Sequence, residues 1–219
     1  MKILLVAATL AEIQPLLDNI GLKNSDVSAE VNLHEIHFVI TGVGMVATAF
    51  SLGRFLAANS FELAINLGIA GSFDRDLNLG EVVNITADTF AEQGAEDGDS
   101  FISIDQLGFG ESAFTGKSAQ FVKSPLLDNI KEVKAITVNK VHGHELSIMK
   151  TLSQVNASVE SMEGAAFFYA CNQYKLPAIQ IRCISNFVER RNREKWNIGL
   201  AIKNLNNFAQ EFLESLPNN

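Results

Sequence analysis

The residues of this 219-residue chain that could do chemistry stand just beyond its apolar runs. Glu12 follows Ile3 to Ala8, Gly42-Val-Gly44 follows His34 to Thr41, and Gly68-Ile-Ala70-Gly71 closes the run from Phe61 to Leu67. Further along, Glu160-Ser-Met162-Glu163 follows Val159, and Ser185-Asn186 ends the run that begins at Ala178. In open α/β sheets ligands sit beyond the carboxyl ends of the strands, so polar residues there are the first candidates for a small-molecule site. Taken singly, each has a structural explanation: Glu12 as a solvated first-turn acid, the glycine pairs as ordinary strand-to-helix turns. Neither glycine pair is a G-x-G-x-x-G or a P-loop, so dinucleotide or nucleoside triphosphate binding is not supported. No set of His, Cys or acids has metal-ligand spacing, and neither a metal nor a cofactor is implied.

The elements that must hold these positions are legible in outline. Ile3 to Ala8 is too short for a helix and apolar enough for a buried strand. Thr9 can cap the next helix, where Ile13, Leu16, Leu17 and Ile20 recur at helical spacing. Pro15 fits only if it falls in about the first turn, and Gly21 ends the helix. Strands are expected at 34–41, 61–67, 81–86, 135–138, 159–163 (with a turn) and 178–185. Helices are expected at 45–58, 144–155, 164–174 and 196–213. From Phe90 to Gly116 the pattern dissolves into Gly, Asp, Glu and Ser and reads as a solvated irregular loop. Alternating strands and helices predict one α/β domain over residues 1–219, with helices on both faces of a central sheet.

Composition narrows the class. The chain is 47% hydrophobic and 19% charged, which excludes a disordered protein, and its net charge of −8 argues against a nucleic-acid footprint. Cys171 and Cys183 read as reduced thiols. No apolar run approaches the ~20 residues of a membrane span. The short apolar N-terminus meets Glu12 and a helical pattern at once, unlike a secretory signal. A cytoplasmic protein with no membrane partner is expected.

In their order along the chain, the candidate stretches resemble the purine nucleoside phosphorylase and nucleosidase superfamily, most closely its futalosine hydrolase branch. The matching pieces are Glu12 after the opening strand, Thr41-Gly-Val-Gly44, Asn66-Leu-Gly-Ile-Ala-Gly-Ser72, Met162-Glu-Gly-Ala-Ala166 and Arg182-Cys-Ile-Ser-Asn-Phe-Val-Glu189. The resemblance covers nearly the whole chain. It implies a mixed central sheet, a purine nucleoside as ligand, and a homo-oligomer of two or more subunits. It also implies that Glu163 accepts hydrogen bonds from the ribose hydroxyls, with Met162 under the sugar, while Glu12 holds and activates the attacking water. Arg182 matches a position near that water. Gly42, Gly44, Gly68 and Gly71 would let backbone approach the sugar. Many nucleosidases have a serine where this chain has Ile69, which removes one hydroxyl partner.

Cleaving an N-glycosidic bond passes through a ribosyl-cation-like state, so the purine must gain a proton at N7 and a water must be poised at C1′. Adenine-specific relatives carry Asp where this chain has Asn186. An amide can donate to a 6-oxo group and accept from N7–H, which favours hypoxanthine-type nucleosides and requires the N7 proton to come through water. Ser185 neighbours this reader. Downstream, Arg190, Arg191 and Arg193 form the densest basic cluster, and one of them could hold a carboxylate on the 5′ substituent. His142 lies on the loop that, by resemblance, approaches the base. The resemblance thus points to hydrolysis of futalosine to hypoxanthine and dehypoxanthine futalosine, in the futalosine route to menaquinone. The alternatives are a methylthioadenosine/S-adenosylhomocysteine (or aminodeoxyfutalosine) nucleosidase, a phosphorylase, or a nucleoside-binding protein without turnover. A phosphorylase lacks support because no Arg or Lys follows Gly42-Val-Gly44 before Arg54.

Overall fold

In chain order the computed structural model has β1 (Lys2–Ala7), α1 (Leu10–Asn19), β2 (Ala29–Val31), β3 (His34–Ile40), α2 (Met45–Ala58) and β4 (Leu63–Ser72). There follow β5 (Val82–Phe90), β6 (Gly94–Asp97), β7 (Ser100–Ser103), β8 (Ala113–Thr115), α3 (Pro125–Asp128) and β9 (Lys131–Thr137). The chain closes with α4 (Glu145–Gln154), β10 (Val159–Ser161), α5 (Gly164–Gln173), β11 (Ala178–Phe187) and α6 (Ile198–Ser215). The structure describes residues 1–22, 28–116, 122 and 124–217.

The central sheet runs β10-β9-β5-β11-β4-β1-β3-β2, with β8 added on β5. Its middle is parallel where β1 meets β3 and β4 and where β4 meets β11; the β11–β5 pair is antiparallel. β10 pairs both β9 and β4, so β4, β11, β5, β9 and β10 close into a ring. Strands buried on both faces read as unbroken apolar runs, as Leu4-Leu5-Val6 and Leu63-Ala64-Ile65 do. One core lies between the sheet and α1 and α6, around Leu16, Leu17, Phe212 and Leu213. The other lies under α2 and α5, around Leu52, Phe167 and Phe168. The expected mixed sheet with helices on both faces is therefore the architecture found.

Three local expectations differ. Residues 90–116 are not irregular throughout: β6 and β7 form a separate hairpin and β8 joins the main sheet. The hairpin's residues are mostly half-buried or exposed, so their sequence carries no apolar run to announce them. Gly68 to Gly71 is not a turn, since β4 continues through it to Ser72. Pro15 sits beyond the first turn of α1, where it removes the hydrogen bond that would reach Ala11, and the helix continues past it.

Candidate active site

A cavity of about 370 Å³ opens beyond the carboxyl ends of β1, β4, β10 and β11. Glu12, Glu163, Asn186 and Met162 all line it, together with Ile69 and Gly71.

Glu12 is the third residue of α1, with Thr9 as the N-cap. Its Oε2 accepts from the backbone N–H and the hydroxyl of Thr9, each at 2.9 Å, and its Oε1 accepts from the Ile69 N–H at 3.2 Å. The capping sequence thus aims a carboxylate into the cavity instead of leaving it in solvent. Ile69 contributes its backbone to the site although its side chain offers no hydroxyl.

Glu163 is the N-cap residue of α5. Its Oε1 accepts from the Gly44 N–H at 2.9 Å and its Oε2 from the Met162 N–H at 3.2 Å. Gly44 has φ +96°, a backbone state that side chains disfavour, and this conformation presents its N–H to Glu163. Burial raises the Glu163 pKa, against the pull of Arg182 and Gly44; Glu12 adds to the rise.

Arg182, which the resemblance sets near the attacking water, lies in the interior of β11, 2% exposed, and does not itself line the cavity. Its Nη2 donates to Asn66 Oδ1, Nη1 approaches the Ile181 carbonyl at 3.4 Å, and Nε has no partner among the described residues. Burial pulls its pKa down, while Glu163, Glu12 and Asp88 push it back up. Arg182 therefore acts from beneath, as the cation shared by the two site glutamates. Gly68 leaves room for this arrangement: a Cβ there would stand 2.8 Å from Arg182 Nη1 and 3.2 Å from Glu12 Oε1. Gly42 and Gly44 likewise lie outside the cavity lining, and Gly44 acts through Glu163.

Behind Arg182 lies Asp88, which the sequence reading missed. It is fully buried and accepts from Thr137 Oγ1 and Gln180 Nε2, both at 2.8 Å. Burial pushes its pKa up to about 6 despite those hydrogen bonds and the attraction of Arg182. Thr137 Oγ1 in turn accepts the Ala165 N–H at 2.7 Å, tying the start of α5 to this carboxyl group. Gly164 is required here, because a Cβ would meet Asp88 Oδ2 at 2.0 Å.

Asn186 lies half-buried at the end of β11, its Oδ1 accepting from Ser185 Oγ at 2.8 Å and its Nδ2 donating to the Phe187 carbonyl at 3.0 Å. Ser185 and Ala70 also line the cavity, and the Ser185 hydroxyl is 3.2 Å from the Ala70 carbonyl. Of the three downstream arginines, only Arg191 lines the cavity, its guanidinium 4.9 Å from the Trp196 ring centroid. Arg190 and Arg193 are exposed outside it. His142 lines the cavity too, with its polar atoms committed to Glu160 and Thr151. Among the described residues no cluster of His, Cys or acids could hold a metal ion.

Two carboxylates at separate helix starts, with a buried cation close to both, and an amide at the end of β11 are thus brought to one cavity. The chain belongs to the Phosphorylase superfamily, whose sequence profile matches residues 2–215. It is 27% identical over 175 residues to the futalosine hydrolase of Thermus thermophilus, covering 77% of this chain and 76% of that protein. It is 26% identical to the futalosine hydrolase of Streptomyces coelicolor, covering 78% and 77%. The fold matches the crystal structure of the 5′-methylthioadenosine/S-adenosylhomocysteine nucleosidase of Helicobacter pylori with a TM-score of 0.82, at 18% identity and 98% coverage of both chains.

Proposed function

We propose that this protein hydrolyses the N-glycosidic bond of futalosine, releasing hypoxanthine and dehypoxanthine futalosine, as a step in menaquinone formation. The observation that carries this reading is the meeting of Glu12, Glu163 and Asn186 around one cavity. Glu163 grips the ribose 2′- and 3′-hydroxyls, and its negative charge stabilises the developing ribosyl cation in a site partly shielded from water. Glu12 takes a proton from the water that bonds to C1′, while the C1′–N9 electron pair leaves with the purine. The proton that Glu12 takes is passed on through water to N7, since the Asn186 amide has none to give. Asn186 turns its amide to the departing base, donating to O6 and accepting from N7–H. Arg191, flattened on Trp196, presents its planar fork to a carboxylate on the 5′ group.

A homo-oligomer is part of this proposal. Val46 and Phe50 on α2 are 77% and 69% exposed, and Leu146 and Met149 on α4 are 69% and 62% exposed. Exposed apolar side chains on these helix faces favour burial against another copy. The two buried free cysteines fit a reducing compartment such as the cytoplasm.

A panel of 5′-modified purine nucleosides, assayed for free base with and without phosphate, tests the reading. Release of hypoxanthine from futalosine at a rate independent of phosphate is expected. A requirement for phosphate, or faster cleavage of the 6-amino analogue carrying the same 5′ group, would overturn it. Asn186→Asp should shift preference toward the 6-amino substrate.

A further inference from the structure

Glu163 occupies the N-cap position of α5, yet its side chain makes no capping hydrogen bond to that helix. Its carboxylate oxygens instead accept from Gly44 and Met162 at the cavity. A helix whose N-cap residue withholds its side chain must have its first N–H groups met from outside, or leave them buried and unpaired. In α5 two hydroxyls meet them. The Gly164 N–H donates to Ser161 Oγ at 3.3 Å, and the Ala165 N–H donates to Thr137 Oγ1 at 2.7 Å. Ala165 holds the second helical position, whose N–H an N-cap side chain ordinarily takes. Thr137, the last residue of β9, therefore does for α5 what Glu163 does not.

A threonine hydroxyl has one hydrogen and can accept from a helix N–H only if that hydrogen points away from it. Asp88 on β5, the strand beside β9, takes the hydrogen: Thr137 Oγ1 donates to Asp88 Oδ1 at 2.8 Å. Gln180 on β11, at the other side of β5, holds the second oxygen, its Nε2 donating to Oδ2 at 2.8 Å. All three side chains are fully buried. The start of α5 rests on them directly, since a Cβ on Gly164 would overlap both Asp88 and Gln180. Burial also raises the Asp88 pKa to about 6, so above that pH the folded state loses stability by holding the acid ionised. Stability alone gives no reason for an acid here; the orientation of the Thr137 hydroxyl does.

We propose that Thr137 and Asp88 are a positioning pair for Glu163: they supply, from β9 and β5, the cap that α5 does not receive from its own N-cap residue, and so free that carboxylate to grip the ribose hydroxyls. This rests on the reading of the cavity as a nucleosidase site, and it makes the hold on the sugar depend on two residues that touch no substrate.

The test compares inosine with 2′,3′-dideoxyinosine, which lacks both hydroxyls, by calorimetric titration of the full chain in the Glu12→Gln background, where turnover is slow. The parent is expected to bind inosine about tenfold or more tighter than the dideoxy compound, through hydrogen bonds to a charged acceptor. Thr137→Val keeps the shape of the side chain and removes the hydroxyl. It should weaken inosine about tenfold and leave dideoxyinosine within about twofold, so that the ratio collapses. Thr137→Ser should restore the ratio. Asp88→Asn should also keep it, because the amide oxygen still accepts from Thr137 while its NH₂ can donate to Gln180 Oε1, which has no partner among the described residues. A merely structural role would weaken both nucleosides alike, and an unchanged ratio in Thr137→Val therefore overturns the inference. So does equal affinity of the parent for the two compounds, or a collapse in Thr137→Ser or Asp88→Asn as deep as in Thr137→Val. Futalosine hydrolysis by the wild-type protein with the ratio unchanged in Thr137→Val would sink this inference alone. A collapsed ratio without futalosine hydrolysis would sink only the hydrolase reading.

Discussion

Replacing Arg182 with Met keeps much of the side chain's length and removes the one cation that Glu12, Glu163 and Asp88 share in the interior. Breaking a buried charge set by deleting one partner costs roughly 3–5 kcal/mol, because the remaining charges stay buried and uncompensated. Against a domain stability of roughly 5–15 kcal/mol the variant should still fold, with a Tm lower by roughly 6–20 °C near pH 8. The loss should depend on pH, with a definite sign. Asp88 has a folded pKa of about 6, raised from 3.8, and Glu163 is raised as well. Across such a window the folded state holds protons that the unfolded state has released, so stability falls as pH rises. Arg182 lowers both pKa values, and its removal raises them further, deepening the penalty and extending it to higher pH. Toward pH 5 these carboxyls protonate and the deficit should shrink toward the cost of stranding Asn66 Oδ1, roughly 1–3 kcal/mol. Thermal unfolding followed by circular dichroism from pH 5 to 8.5 measures this directly. A deficit equal at both ends, or a variant as stable as the wild type at pH 8, would show that the three acids and the arginine are not coupled as described.

Other perturbations follow from the same geometry. Glu12→Gln keeps an acceptor for Ile69 but cannot take a proton from water, so steady-state kinetics with futalosine should show kcat down about 10²–10⁴-fold with KM little changed. Asp88→Asn removes the buried acid, and unfolding at several pH values should show it stabilising by up to roughly 3 kcal/mol above pH 6 and having no charge effect below pH 4. Arg191→Ala should raise KM about tenfold or more for a nucleoside with a 5′ carboxylate and leave an uncharged 5′ analogue unaffected, while Arg190→Ala should change neither.

What the sequence made legible is what depends on neighbours along the chain. The run from Ile3, the cap at Thr9 and Glu12 three residues later predict a carboxylate at a helix start, and the structure has it there. Met162-Glu163 ahead of the helix that begins at Gly164 is equally local. The alternation of strand and helix sufficed for the layered fold. The hairpin of β6 and β7 was not legible, because strands without a buried face carry no apolar signature. The buried setting of Arg182 was not legible either, because a charged residue inside an apolar strand declares its role only once its partners are known. Those partners, Asn66 and the acids at 12, 88 and 163, lie far apart in sequence.

The division between legible and hidden features has a chemical consequence. Each site glutamate is positioned by its own helix start and by one backbone N–H from a distant strand or turn, Ile69 for Glu12 and Gly44 for Glu163. The arrangement for handling the sugar and water can therefore persist through changes elsewhere in the sheet. Base recognition in the proposed reading depends on a different residue, Asn186 at the end of β11, paired with Gly71 of β4. Asn186 lines the cavity and carries none of the hydrogen bonds that hold Glu12 or Glu163. Exchanging an amide for an acid at the end of β11 can thus alter which purine is read while leaving the glycosidic machinery in place. A scaffold that separates the two tasks in this way permits substrates differing in one exocyclic group to be handled by a common fold.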